Sequence, residues 1–148
     1  MRQQTSWALA VLMVLAACGK KDSGRPAAAQ ARAQRPVGDA DVLGQEIFEL
    51  VDRAIDYRGS HMGRPAGSFR QMGIDSLTGA TVRRLENLQR EPVVTVAFRK
   101  PGTHEITSCR GDSQILEEAS LNGGRFTLMC TTASGAQRPI RVGEPPER

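Results

Sequence analysis

Apolar residues recur at helical spacing over residues 41–58. They form one stripe that comprises Leu43, Ile47, Leu50, Val51 and Ala54, and Phe48 and Ile55 widen it. Asp39 or Asp41 can cap the start of this predicted helix, and Gly59 is a natural end. One wide apolar stripe needs a partner surface, which a sheet provides most economically.

Strand-like alternation of apolar and polar residues begins after Pro92. It runs over 93–98 and again over 126–130, where Cys130 shares a face with Phe126 and Leu128. Residues 105–109, 114–119 and 138–142 are predicted as further strands, and the glycine pair at 123–124 as part of a hairpin turn. Residues 80–91 fit either a helix or a strand, and we prefer the strand because strands follow it.

A glycine-rich connector, residues 59–79, separates the helix from the strands and has room for one helical turn at 68–72. Long loops carry function more often than regular elements do, so this connector is a candidate interaction surface. The residues that we expect to contribute are Arg64, Phe69 and Arg70. The alternative is that Phe69 and Met72 only close one end of the core.

The element order predicts an α+β fold, with one N-terminal amphipathic helix packed on a small antiparallel meander. We expect this single domain to cover residues 41–142, with a disordered tail over 143–148. Residues 19–40 are rich in Ala, Arg, Gln and Pro, so they cannot bury enough apolar surface to fold. We interpret residues 18–40 as a tether.

The first residues have the pattern of an export signal. Arg2 precedes an apolar run from Trp7 to Ala17, which at about 1.5 Å per helical residue covers roughly 16 Å and is too short to span a bilayer. The run ends in Leu15-Ala16-Ala17 and is followed by Cys18, which resembles the lipobox of bacterial lipoprotein signal peptides.

The lipobox resemblance implies that residues 1–17 are a signal peptide and that Cys18 carries a diacylglyceryl group after cleavage. Two or three acyl chains give stable anchoring in a bilayer. Gly19 stands where an inner-membrane retention signal would often place Asp, which favours the outer membrane, facing the periplasm, in a cell with two membranes. The alternative is a secreted protein with a chance cysteine at the cleavage site.

The chain has three cysteines, an odd number for an exported protein. If Cys18 carries lipid, Cys109 and Cys130 remain as one pair, and an oxidising compartment lets them form a disulfide. Two free thiols are the alternative. Neither cysteine belongs to a Cys-x-x-Cys motif, so a thiol-redox role has no direct support.

The positive charge is concentrated before the domain. Residues 19–40 have five basic and two acidic residues, whereas residues 41–142 have thirteen basic and twelve acidic ones. Basic residues beside an acylated cysteine add attraction to anionic lipid, although they also fit a merely solvated linker. Because the domain is nearly neutral and poor in aromatic residues, we expect no nucleic-acid partner. The expected partners are the bilayer, through acylated Cys18, and an envelope protein.

One helix, a connector and an antiparallel meander closed by a disulfide form an order that resembles the globular part of type IV pilin-like proteins. The resemblance covers roughly residues 41–132 and implies a helix packed on the sheet. A lipobox stands where those proteins have a prepilin cleavage motif, so filament formation does not follow from the resemblance.

No catalytic, cofactor or metal motif stands out. His61 and His104 are far apart in the chain, and the adjacent Glu117 and Glu118 would point to opposite faces of a strand. The tripeptide 110–112, Arg-Gly-Asp, is too short to indicate adhesion. The sequence therefore favours a non-enzymatic binding or assembly domain. A pilin-like accessory subunit is one alternative, and another is a small envelope enzyme built around His61 or His104.

Overall fold

Helix α1 spans Asp39–Ser60 in the computed structural model, which describes residues 38–143. Its buried residues are those of the predicted stripe, and Gly44 joins them. The helix starts where the Gly38 amide donates to Asp41 Oδ2 at 3.1 Å. The predicted helix is therefore confirmed, and it extends slightly further at both ends.

Five antiparallel strands form one sheet in sequential order, as the predicted meander requires. The strands are β1 Thr81–Leu88, β2 Glu91–Phe98, β3 Ile106–Asp112, β4 Phe126–Thr132 and β5 Gln137–Val142. The ambiguous residues 80–91 thus form a strand, β1, and the start of β2. The described chain is α+β, and within residues 38–143 no helix is long and apolar enough to cross a bilayer.

A second helix, α2, spans Gln114–Leu121 between β3 and β4. The apolar pattern predicted a strand over 114–119 and a hairpin turn after it, and both predictions are wrong. Ile115 and Ala119 lie one helical turn apart and are both buried, so the segment reaches the core as a helix. Residues 122–124 end this helix, where the Gly124 amide donates to the Ala119 carbonyl at 2.7 Å.

Two glycines allow α1 to lie close to the sheet. A Cβ atom on Gly44 would lie 2.7 Å from a methyl of Val142, and one on Gly111 would lie 2.8 Å from a methyl of Ile47. Leu128 of β4 is a near neighbour of both positions. The core between α1 and the sheet is therefore packed against backbone at these two points.

Cys109 and Cys130 face each other across β3 and β4 and form a disulfide. Both are buried among the core residues, as the shared face with Phe126 and Leu128 predicts. The loop that the bond closes contains the whole of α2. The predicted pair is confirmed.

Strand β5 is an edge strand, and Pro139 lies in its middle, opposite Met129 of β4. Proline has no amide hydrogen to donate, so within sheets it is confined to edges, strand starts and bulges. The Pro139 position therefore agrees with β5 having a neighbour on one side only.

Candidate functional site

A groove of about 610 Å³ lies between α1, the end of α2 and the ends of β4 and β5. We call it the α1 groove. Its apolar walls are Phe48, Ala119, Phe126 and Val142, and the polar residues Asp41, Gln45 and Glu49 of α1 also line it. Its size is within the range of ordinary ligand pockets, about 300–1,000 Å³.

Four separate elements supply the apolar walls. Phe48 of α1 and Phe126 at the start of β4 place their ring centroids 5.4 Å apart. Val142 of β5 is the cross-strand partner of Phe126. Gly124, with φ of 88°, turns the chain after α2 and leads directly into β4, so Ala119 is brought to the same groove.

The polar residues of the groove form one line on α1, because they are four and eight positions apart. Asp41 and Glu49 are about 12 Å apart along the helix axis. Asp41 Oδ1 accepts the Gly143 amide at 3.4 Å, and Gln45 Nε2 donates to Glu49 Oε1 at 3.4 Å. Glu49 is exposed, so its charge faces solvent at the groove.

A second cavity, of about 480 Å³, lies beside α2 and has both polar and apolar walls. Its carboxylates already accept hydrogen bonds from the chain. Glu118 accepts the Thr127 amide and the Thr127 hydroxyl, both at 2.9 Å, and Asp112 accepts the Gln114 amide at 3.0 Å. Glu117 is exposed, whereas Glu118 is partly buried. The two adjacent glutamates differ in burial because the helix that carries them packs one side on β4.

The connector residues do not form one surface. Phe69 begins a 3-10 turn, Phe69–Met72, and its side chain is only 3% exposed, within the core. Arg64 and Arg70 are exposed. Because Phe69 is buried, the expectation that it contributes to an interaction surface is wrong. The alternative, that Phe69 closes one end of the core, describes its position.

The two histidines lie near opposite ends of α1. His104 stacks on Phe98 with centroids 3.6 Å apart, and its Nδ1 donates to Asp39 Oδ1 at 2.9 Å. His61 stacks on Tyr57, and its Nδ1 donates to the Tyr57 carbonyl at 2.8 Å. Neither histidine lines either cavity, and both are held by neighbouring rings.

Asp39 does more than pair with His104. Its Oδ2 accepts the amides of Glu105 at 2.8 Å and Ile106 at 3.3 Å. The hydrogen bond from His104, followed by those from the two amides, holds the pKa of Asp39 below its usual value against the opposing effect of burial. The carboxylate therefore joins the start of α1 to the start of β3.

The tripeptide at 110–112 lies inside β3, where Gly111 is buried under α1. Cys18 and the tether up to residue 37 lie outside the described residues. Within residues 38–143, no group of three His, Cys, Asp or Glu side chains could hold a metal ion.

The α1 groove was not foreseen, because a strand at 114–119 would not place Ala119 beside Phe48 and Phe126. Chemically, the groove offers apolar surface and carboxylates along one side. No protein-family model, curated protein or solved structure matches this chain.

Proposed function

We propose that this chain is a lipid-anchored protein of the bacterial cell envelope whose folded domain binds a partner without transforming it. The observation that carries the binding role is the α1 groove, an open apolar cavity that four elements form together. Open apolar cavities with a few polar groups are the usual form of binding sites.

The anchor is proposed from the sequence. Arg2, the apolar run and Leu15-Ala16-Ala17-Cys18 favour lipidation of Cys18, and the basic residues of the tether fit an anionic lipid surface. The disulfide between Cys109 and Cys130 agrees with a compartment outside the cytoplasm. In a cell with two membranes, we place the protein on the outer membrane, facing the periplasm.

Binding fits the geometry better than catalysis does. His104 is the histidine with a carboxylate partner, but its ring lies flat on Phe98 and that partner, Asp39, also accepts two backbone amides. A general base needs access to a substrate proton. The His104–Asp39 pair instead fastens two elements together, so we assign it a structural role.

A pilin-like accessory subunit is the second candidate. It is favoured by one observation, the packing of α1 across an antiparallel sheet that a disulfide closes. Isolated envelope filaments that contain the protein would support this role, and filaments that lack it would count against it.

The anchor is tested by metabolic labelling with an acyl-chain probe and by membrane fractionation. We expect the natural chain to be labelled and to sediment with membranes, and Cys18→Ser to be unlabelled and released. Gly19→Ala is the matched control, because it changes the neighbouring residue and keeps the cysteine. An unlabelled natural chain in the soluble fraction would refute the anchor. Cys18→Ser should leave the unfolding transition of residues 38–143 unchanged, since Cys18 precedes them in the sequence.

A further inference from the structure

We propose that the α1 groove binds a segment of another envelope protein in which apolar side chains are flanked by Lys or Arg. This inference rests on the proposed binding role of the groove and adds the chemistry of its partner. It is carried by two features that occur together, apolar walls and acidic residues on one side.

The apolar walls set the size of what fits. The four apolar wall residues belong to four regular elements, α1, α2, β4 and β5. The apolar part of the groove therefore has a fixed shape. Its extent along α1, about 12 Å, matches about four residues of extended chain or two turns of helix. A peptide segment of that length brings two or three apolar side chains to these walls.

The charges select a cationic segment. Asp41 and Glu49 line the groove, and none of the described residues that line it is basic. Glu49 is exposed, and within residues 38–143 the hydrogen bond given to it is the long one from Gln45, so it can take an ion pair from an incoming Lys or Arg. Asp41 lies at the other end of the groove, where its carboxylate accepts the amides of Gly38 and Gly143.

The same charges disfavour two other occupants. A phospholipid would bring its phosphate towards Asp41 and Glu49, and an acidic peptide would bring carboxylates there, so like charges would oppose both. A segment with apolar side chains beside Lys or Arg can contact the apolar walls and pair with the acidic side of the groove at the same time. The geometry thus points to a basic, apolar peptide.

The test is an NMR titration of the exported full chain that carries Cys18→Ser. The probe is a ten-residue synthetic peptide of Leu, Ala and Lys, and its matched partner has Glu in place of every Lys. We expect the Lys peptide to shift the amide signals of Gln45, Phe48, Ala119 and Gly124 and to bind about tenfold more tightly than the Glu peptide. Binding should weaken as salt is raised.

Two substitutions on α1 make the test specific. Glu49→Lys should reverse the preference, so that the Glu peptide binds more tightly. Asp56→Lys makes the same charge change two turns further along the exposed side of α1, outside the groove, and should leave the preference as it was. Both positions are exposed, so neither substitution should disturb the core.

Several outcomes would overturn the inference. They are equal binding of the two peptides, shifts confined to residues outside the groove, an unchanged preference in Glu49→Lys, or no binding of either peptide. If vesicles of anionic phospholipid shifted the groove signals and the Lys peptide did not, the ligand of the groove would be lipid rather than a peptide. If the mass of the protein in solution rose with concentration and the same groove signals shifted, the occupant of the groove would be a second copy of this chain. All of these leave the acyl-label test of the anchor unaffected.

Discussion

Single glycines decide how closely the layers of this domain pack. Gly44 and Gly111 occupy the two points where a side-chain carbon would meet buried methyl groups of Val142, Leu128 or Ile47. Glycine in a helix costs about 1 kcal/mol relative to alanine, so Gly44 weakens α1 as an isolated helix. The close packing that it allows offsets this cost.

We expect Gly44→Ala to destabilise the protein by about 1–2 kcal/mol, because overpacking exceeds the gain in helix propensity. Gly59→Ala is the matched control in the same helix. A Cβ there meets no atom within 4 Å, so we expect stabilisation by about 0.5–1 kcal/mol. Urea denaturation of both variants measures the difference. If Gly44→Ala were as stable as Gly59→Ala, the close contact with Val142 would not limit the packing.

At the scale of elements, the long helix and the strands of the sheet were predicted correctly, and the short helix α2 was not. Helix α1 presents several turns of one apolar stripe, and buried and less buried residues alternate over 94–98 of β2 and over 126–130 of β4. Helix α2 has only two turns, and a segment so short shows too few apolar positions to separate a period of 3.6 from a period of 2. Its conformation is fixed by contacts with β4 and the core.

The hairpin between β1 and β2 shows the same limit. Its two turn residues, Gln89 and Arg90, have φ of 53° and 71°, which is the geometry of a turn that usually needs Asn or Gly. Neither residue indicates that turn in the sequence. The Arg90 carbonyl accepts a hydrogen bond from Arg58 Nη1 at 2.9 Å. This contact with α1 therefore helps to stabilise the turn, which the local sequence does not specify.

The contact between α2 and β4 is open to a direct test. Glu118→Ala removes the acceptor of the Thr127 amide and hydroxyl, and we expect a loss of about 1–2 kcal/mol with faster hydrogen exchange at Thr127. Glu117→Ala makes the same change at the neighbouring exposed position and should be nearly neutral. Equal effects of the two substitutions would mean that helix propensity, rather than the contact, governs α2.

Over the whole domain, polar contacts join α1 to the sheet at both ends and in its middle. Asp39 bonds to His104 near the start, Glu46 accepts Thr81 Oγ1 and pairs with Arg83 in the middle, and Arg58 pairs with Glu91 near the end at 2.8 Å. Arg58 is the main cause that lowers the pKa of Glu91, as His104 is for Asp39. Ionised carboxylates therefore contribute to the stability of the folded domain.

Acid should weaken this arrangement. Because the pKa of Asp39 is lower in the folded than in the unfolded chain, its contribution is full above the unfolded pKa, near 4, and is lost as the pH falls through the folded pKa. We expect Asp39→Asn to lose less stability than the natural chain between about pH 5 and pH 3, as measured by urea denaturation at each pH. Asp52→Asn, at an exposed position of α1, is the control. Parallel curves for all three proteins would contradict the assignment.

The candidate site needed the whole fold to become visible. Phe48 and Phe126 were both predicted to be apolar positions of their elements, but they are 78 positions apart and nothing local brings them together. The residues that the sequence favoured as an interaction surface lie in the connector, and one of them, Phe69, is buried in the core. Composition indicated a surface loop, whereas the groove depends on how four elements meet.

Pro139 has a consequence for crowding. A membrane anchor would hold many copies of this domain in one plane at high local concentration, and an open sheet edge invites neighbouring copies to add strand upon strand. A proline in the middle of β5 leaves a gap in the row of donors that such an association requires. Pro139 therefore disfavours strand addition at the β5 edge, and this would matter most where the protein is most densely displayed.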